Sequence, residues 1–182
     1  LMGNVASTTG MSRQLYNAAY AVIGHIRGGL ASATLLGCGG FAALSGSSVA
    51  SALTMGKVSL SEMDRYGYDP RLSTGVVAAG GTLGILIPPS TGFVIFAILT
   101  EQSIGRLFLA GVFPGLLLLA IFVITVSIIC WFRPEAGPPG LRRSLSEKLT
   151  AVTGALPILL VIASTIGGIY GGLFSPVEAA GV

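Results

Sequence analysis

The chain has 182 residues, of which 52% are hydrophobic and only 9% charged, with a formal net charge of +3. Soluble domains carry roughly 25% charged residues, so the composition argues against a water-soluble enzyme or a nucleic-acid-binding surface and for an integral membrane protein. No Lys, Arg, Asp or Glu falls within 28–56, 72–100, 107–132 or 149–177; each stretch is about 26 to 29 residues long, where a spanning helix needs about 20.

Residues 1–10 read as the end of a preceding helix. In 11–27, apolar Leu15, Ala18, Ala19, Val22, Ile23 and Ile26 recur at helical spacing, which predicts an amphipathic helix along the membrane interface. The stretch 28–56 is rich in Gly, Ala, Ser and Thr, and Ser45-Gly46-Ser47-Ser48 divides it into two pieces too short to span. It either crosses as one weak helix or dips and returns as a re-entrant hairpin. If it crosses, the basic residues divide about 3 to 7 between the two sides; if it returns, they divide about 9 to 1, with Arg106 alone outside. The excess of Lys and Arg on cytoplasmic loops favours the hairpin.

The charged stretch 57–71 then reads as a cytoplasmic link ending in the turn Asp69-Pro70. Residues 72–100 form a transmembrane helix that must break near its middle, because Pro88 and Pro89 bring no backbone donors and oppose the helix before them. A short outer link (101–106) leads to a transmembrane helix at 107–132, with Trp131 and Phe132 as its interfacial edge. Pro- and Gly-punctuated 133–148 is a basic cytoplasmic loop, 149–172 another transmembrane helix, and 173–182 opens a further helix with Ser175 as cap and Pro176 in its first position. Both ends read as internal to a longer chain.

Two polar interruptions at membrane depth imply a site, because unpaired backbone groups in lipid must be met by protein or by a polar cavity. Ser45, Ser47 and Ser48 offer hydroxyls beside non-helical carbonyls, an oxygen-rich environment suited to hard cations. The half-helix beginning near Ser47 directs N–H groups and its positive dipole end at the tip, which favours an anion. In the broken helix the first half ends near Gly84 with orphan carbonyls, and Ser90 is placed to cap the second half. Such paired breaks belong to secondary transporters; the plainer reading is that small residues only let helices approach closely. His25 reads as an interfacial or capping residue. An intramembrane serine protease is disfavoured because His25, the only histidine, is at the wrong depth and Lys57 at the far end of the hairpin, leaving Ser45 without a base within reach. A channel or a non-transporting scaffold is the alternative, although no repeated ring of charge or carbonyls marks a pore.

Several motifs carry a family resemblance: Gly24-His25-Ile26-Arg27-Gly28-Gly29, Ser45-Gly46-Ser47-Ser48-Val49-Ala50, Arg65-Tyr66-Gly67-Tyr68-Asp69-Pro70, Gly81-Thr82-Leu83-Gly84-Ile85-Leu86-Ile87-Pro88-Pro89-Ser90, and Ser175-Pro176-Val177-Glu178. Along nearly its whole length the chain resembles the large membrane subunit of tripartite ATP-independent periplasmic (TRAP) transporters, the DctM-like family. The resemblance implies an all-α integral membrane bundle, one half of an inverted-repeat elevator-type transporter, with a re-entrant helical hairpin and a discontinuous transmembrane helix. It implies no catalysis and no cofactor beyond sodium as coupling ion. Import of an organic acid anion, such as a C4-dicarboxylate or sialic acid, would follow delivery by a periplasmic substrate-binding protein. A small DctQ-like membrane subunit would accompany the chain in the bacterial or archaeal cytoplasmic membrane. Carried onto this sequence, the sodium site would use Ser45 and Ser48 with the carbonyls of Gly84, Ile87 and Pro89; Ser47 and Thr82 would face substrate.

Overall fold

The computed structural model describes residues 11–142 and 144–171. Among them the order is α1 (Met11–Ile23), α2 (Gly29–Ser45), α3 (Ser48–Arg65), α4 (Pro70–Leu86), α5 (Thr91–Thr100), α6 (Ile104–Phe132), a 3-10 turn at Pro134–Ala136, and α7 (Leu145–Tyr170). The expected helix end at 1–10 and the expected helix start at 173–182, with Ser175, lie outside the described residues.

The serine-rich stretch folds into a helical hairpin because glycine and serine punctuate it in the required order. Gly46, at φ 59, ends α2 and returns its N–H to the Ala42 carbonyl at 2.9 Å, a left-handed conformation that a Cβ disfavours. Ser47 then caps α3, its hydroxyl accepting from the Ala50 N–H at 3.4 Å. The two arms run antiparallel: the Ser45 and Ser51 hydroxyls meet at 3.0 Å near the tip, while a side chain at Gly37 would strike Met55 further down. Every residue of α2 except Leu36, Gly40 and Ser45 is buried, so this arm is the centre of the bundle. Glycines admit its neighbours, with Gly80 of α4 against Cys38, and Gly39 against Leu119 of α6, as close helix packing requires. Both cysteines are free and buried.

The second arm is longer than its charges suggest. Helix α3 continues through Lys57 to Arg65, so most of the stretch expected as a link, 57–71, is helix, and the link itself is confined to 66–69. Met55, Ser59 and Met63 keep facing the core at i, i+4, i+8 while Lys57, Ser61, Asp64 and Arg65 are exposed; an amphipathic face sustains the helix where net hydrophobicity has ended. The stripe on α1 is also rotated from its expected position. Leu15, Tyr16 and Tyr20 are buried, whereas Val22 is 46% exposed, because α1 packs its tyrosine side against the hairpin and α7. The helix also ends at Ile23 rather than at 27, so Ile26, 54% exposed, falls in the turn after it.

Both ends of the hairpin meet one loop. After α6, the Gly137 carbonyl accepts from the Gly28 N–H at 2.9 Å, the Ala136 carbonyl from the Asp69 N–H at 3.0 Å, and Gly140 donates to the Gly24 carbonyl at 2.8 Å. Tyr68, in the 66–69 link, accepts the Leu30 N–H on its phenol oxygen at 3.2 Å, satisfying an otherwise orphan donor in the first turn of α2; burial pushes this phenol up to about 12. The hairpin therefore enters and leaves at the same end of the bundle, the end at which α6 finishes.

Helices α4 and α5 are two pieces of one apolar stretch, bent by 40° at their junction. Helix α6 and the Leu145–Gly168 part of α7 are each long and apolar enough to cross a membrane, and α4 with α5 makes a third crossing if the bent pair is one span. Leu99, Phe113 and Leu160, on α5, α6 and α7, are among many exposed large apolar side chains, as expected of surfaces that face lipid or further apolar helices.

Candidate functional site: the junction of hairpin tip and helix break

The two interruptions in the sequence touch in space. A Cβ added at Gly84, in the last turn of α4, would stand 2.7 Å from the Ser47 carbonyl carbon and the Ser48 nitrogen, and 2.8 Å from the Ser47 oxygen. On the other side of the break, a Cβ at Gly46 would lie 2.5 Å from the Pro89 oxygen. Backbone meets backbone at both points, and only glycine allows it. The contact is stitched by Thr91, whose N–H and hydroxyl donate to the Gly46 carbonyl at 3.4 and 3.2 Å.

The carbonyls at the end of α4 show why two consecutive prolines matter. In a helix each C=O accepts from the N–H four residues ahead. Leu83 still has its donor, Ile87, at 2.8 Å. Gly84 and Ile85 would need N–H groups from Pro88 and Pro89, which have none. Ile85 is rescued by Ser90, whose hydroxyl donates to its carbonyl at 2.6 Å. This corrects the expected role of Ser90: it stands at the N-cap position of α5 but makes no side-chain cap there. The orphan carbonyl of the preceding half takes the buried Ser90 hydroxyl in place of the helix start, because a polar group at membrane depth without a partner is costly. Gly84 is left with no helical donor, and its carbonyl belongs to the residue pressed against Ser47 and Ser48.

Of the oxygen donors expected from the sequence, Gly84 lies against Ser47 and Ser48, and Pro89 against Gly46. Ser45 sits one residue before the tip, its hydroxyl sharing a hydrogen with Ser51 and accepting from the Ser47 N–H at 3.4 Å. Ile87 occupies the extended residue that closes α4, and its side chain packs toward Gly39 and Gly115. Thr82 is exposed and its hydroxyl donates to the Ala79 carbonyl at 2.6 Å. Two participants were not singled out in the sequence. Ser51, fully buried, becomes legible once the hairpin register places it one turn above the tip, opposite Ser45. Thr91 would be legible only from the meeting of the two breaks. His25 is remote in sequence from both and takes no part in these contacts; its Nδ1 is buried and, among the described residues, has no hydrogen-bond partner.

Such a junction can hold a dehydrated cation among hydroxyl and carbonyl oxygens. It can also present an anion with the first-turn N–H groups of α3.

The model of the family described as "Tripartite ATP-independent periplasmic transporter, DctM component" matches residues 1–182. A C4-dicarboxylate TRAP transporter large permease protein of Pseudomonas aeruginosa is 47% identical over 182 residues, 100% of this chain and 42% of the relative. An ectoine TRAP transporter large permease protein of Halomonas elongata is 41% identical, over 95% of this chain and 40% of the relative. A sialic acid TRAP transporter large permease protein of Vibrio cholerae is 34% identical, over 100% of this chain and 42% of the relative. The chain thus spans about two fifths of the length of these relatives.

Proposed function

The chain belongs to the DctM component family of tripartite ATP-independent periplasmic transporters, and we propose that it supplies one half of the transport site of a sodium-coupled importer of organic acid anions. The observation that carries this reading is the backbone contact of Gly84 with Ser47 and Ser48, beside a carbonyl that Pro88 deprives of its donor. Sodium would be held by the hydroxyls of Ser45 and Ser48 and the carbonyls of Gly84, Ile87 and Pro89. Because those oxygens come from both the tip and the break, the ion binds only when the two are together. It thereby adds free energy to that arrangement alone, the condition for a ligand to shift a conformational equilibrium. The substrate anion would then meet the start of α3, with Ser47 and Thr82 as its contacts. Small hydroxyl and amide groups in such a half-site suit different carboxylates, in keeping with relatives named for C4-dicarboxylate, ectoine and sialic acid.

As partners we propose a periplasmic substrate-binding protein and a small membrane subunit; one relative is named as a DctMQ permease. The setting is the cytoplasmic membrane of a bacterium or archaeon, and the chemistry is transport without catalysis. The shared loop at both ends of the hairpin supports a re-entrant arrangement, since entry and exit at one end of the bundle do not make a crossing. Cysteines placed at the exposed positions 13 and 57 of the full-length subunit are expected to react with an impermeant thiol reagent from the same side. Labelling from opposite sides would show that 28–56 crosses.

Sodium dependence is tested with the full-length subunit and its partners in liposomes. Ser48→Ala removes one oxygen ligand, worth about 1.5 kcal/mol for a charge-assisted contact, so half-maximal uptake should need about tenfold more sodium. An unchanged sodium requirement would remove Ser48 from the site.

A further inference from the structure

Helices α4 and α6 touch at one end and are bridged at the other, but stand apart between. Gly111 and Gly115 of α6 close on the Leu86 carbonyl, and at the opposite end the Ala136 carbonyl takes the Asp69 N–H at 3.0 Å. Between these clamps lies a cavity of about 360 Å³, floored by Leu35 of α2. Its walls are apolar at helical spacing, Leu72, Val76 and Ala79 on α4 and Phe122, Val126 and Ile129 on α6. Along its rim Gly75, Thr125 and Ile129 are exposed.

Charge is confined to one end. Arg71, in the first turn of α4, and Arg133, just past α6, line the mouth together with Asp69. The Asp69 carboxylate accepts the Arg71 backbone N–H at 2.8 Å, and among the described residues neither guanidinium is held by a carboxylate. The mouth therefore has an excess of positive charge with free donors. Trp131 and Phe132, 80% and 81% exposed, sit beside it as aromatic residues do at headgroup level. From Arg133 to Phe122 a helix rises about 16 Å, close to half of a hydrocarbon core of about 30 Å, so the groove has the depth of one leaflet.

We propose that this groove is a binding site for one anionic phospholipid, its acyl chain between α4 and α6 and its phosphate on Arg71 and Arg133. Planar guanidinium forks match phosphate oxygens, and basic pockets between membrane helices on the cytoplasmic side select anionic headgroups. The lipid ties the end of α6 to the start of the broken helix, independently of sodium.

The test uses the delipidated full-length subunit in detergent, with phosphatidylglycerol or phosphatidylcholine titrated in and the tightest-bound lipid read by native mass spectrometry. Wild type should prefer phosphatidylglycerol. At about fivefold per arginine, Arg71→Gln with Arg133→Gln should weaken phosphatidylglycerol about 25-fold and phosphatidylcholine, whose phosphate charge is offset by its own choline, much less, so that the preference between the two is lost. Gly75→Leu, at a position where a Cβ meets nothing within 4 Å, should fold normally, project into the groove and weaken both lipids. Retained preference in the arginine variant shows that the mouth does not read the headgroup. Binding insensitive to all three substitutions shows that another part of the full-length chain fills the groove; either result overturns the proposal.

Discussion

Gly84→Leu is expected to lower sodium-dependent uptake by the full-length transporter at least tenfold while leaving the protein inserted in the membrane. The Cβ alone would stand 2.7 Å from two backbone atoms of the hairpin tip, and backbone cannot swing aside as a flexible side chain can. Relief requires α3 and α4 to separate, and overpacking by even a small group costs about 1–3 kcal/mol. At about 1.4 kcal/mol per factor of ten, the closed junction becomes roughly 5- to 150-fold rarer for a methyl, and rarer again for leucine. The sodium needed for half-maximal uptake should rise accordingly, because the ion must supply the closing free energy that packing supplied before. Gly154→Ala is the control: a Cβ there meets nothing within 4 Å, and alanine in a helix stabilises by about 0.5–1 kcal/mol over glycine. Wild-type sodium dependence in Gly84→Leu would mean that tip and break do not jointly hold the ion.

What could be read in the sequence was what charge and proline determine. Pro88 and Pro89 lack N–H groups in any structure, so the break was legible from two residues. The re-entrant reading came from the distribution of basic residues; what the structure shows is a helical hairpin whose two ends, at Gly28 and Asp69, both bond to the segment that follows α6. The extent of α3 was hidden, because Lys57, Glu62, Asp64 and Arg65 mark where apolar burial ends on one face and say nothing of where the helix ends. Ser90 was misassigned because its preference for an N-cap is a local rule, and the Ile85 carbonyl competing for its hydroxyl is left without a donor only once Pro89 is counted against it. The binding of the 134–140 segment to both ends of the hairpin was invisible for a different reason. Its hydrogen bonds are backbone to backbone, so only glycines at 28, 137 and 140 leave any trace.

Gly46→Ala should destabilise the full-length subunit far more than Gly67→Ala, although both glycines sit at a left-handed φ, 59 and 71 respectively. The shared part is backbone strain, about 1–2 kcal/mol for a residue with a Cβ, offset by about 0.4–1 kcal/mol from a less flexible unfolded chain. At Gly67 nothing lies within 4 Å of the new Cβ, so that small net cost is all there is. At Gly46 the Cβ falls 2.5 Å from the Pro89 oxygen and 3.6 Å from the Ser90 Cα, and moving it away stretches the bonds from Thr91 to the Gly46 carbonyl. The difference between the two variants therefore isolates the contact of tip with break, and should amount to about 1–3 kcal/mol of overpacking. Thermal unfolding of the detergent-solubilised subunit, with and without sodium, measures it. On the proposed sodium site, sodium should stabilise wild type and Gly67→Ala alike and Gly46→Ala much less, since only the last disturbs the oxygens of Pro89 and Ser45. Equal destabilisation of the two variants, with equal response to sodium, would leave strain as the whole effect and the junction without a part in ion binding.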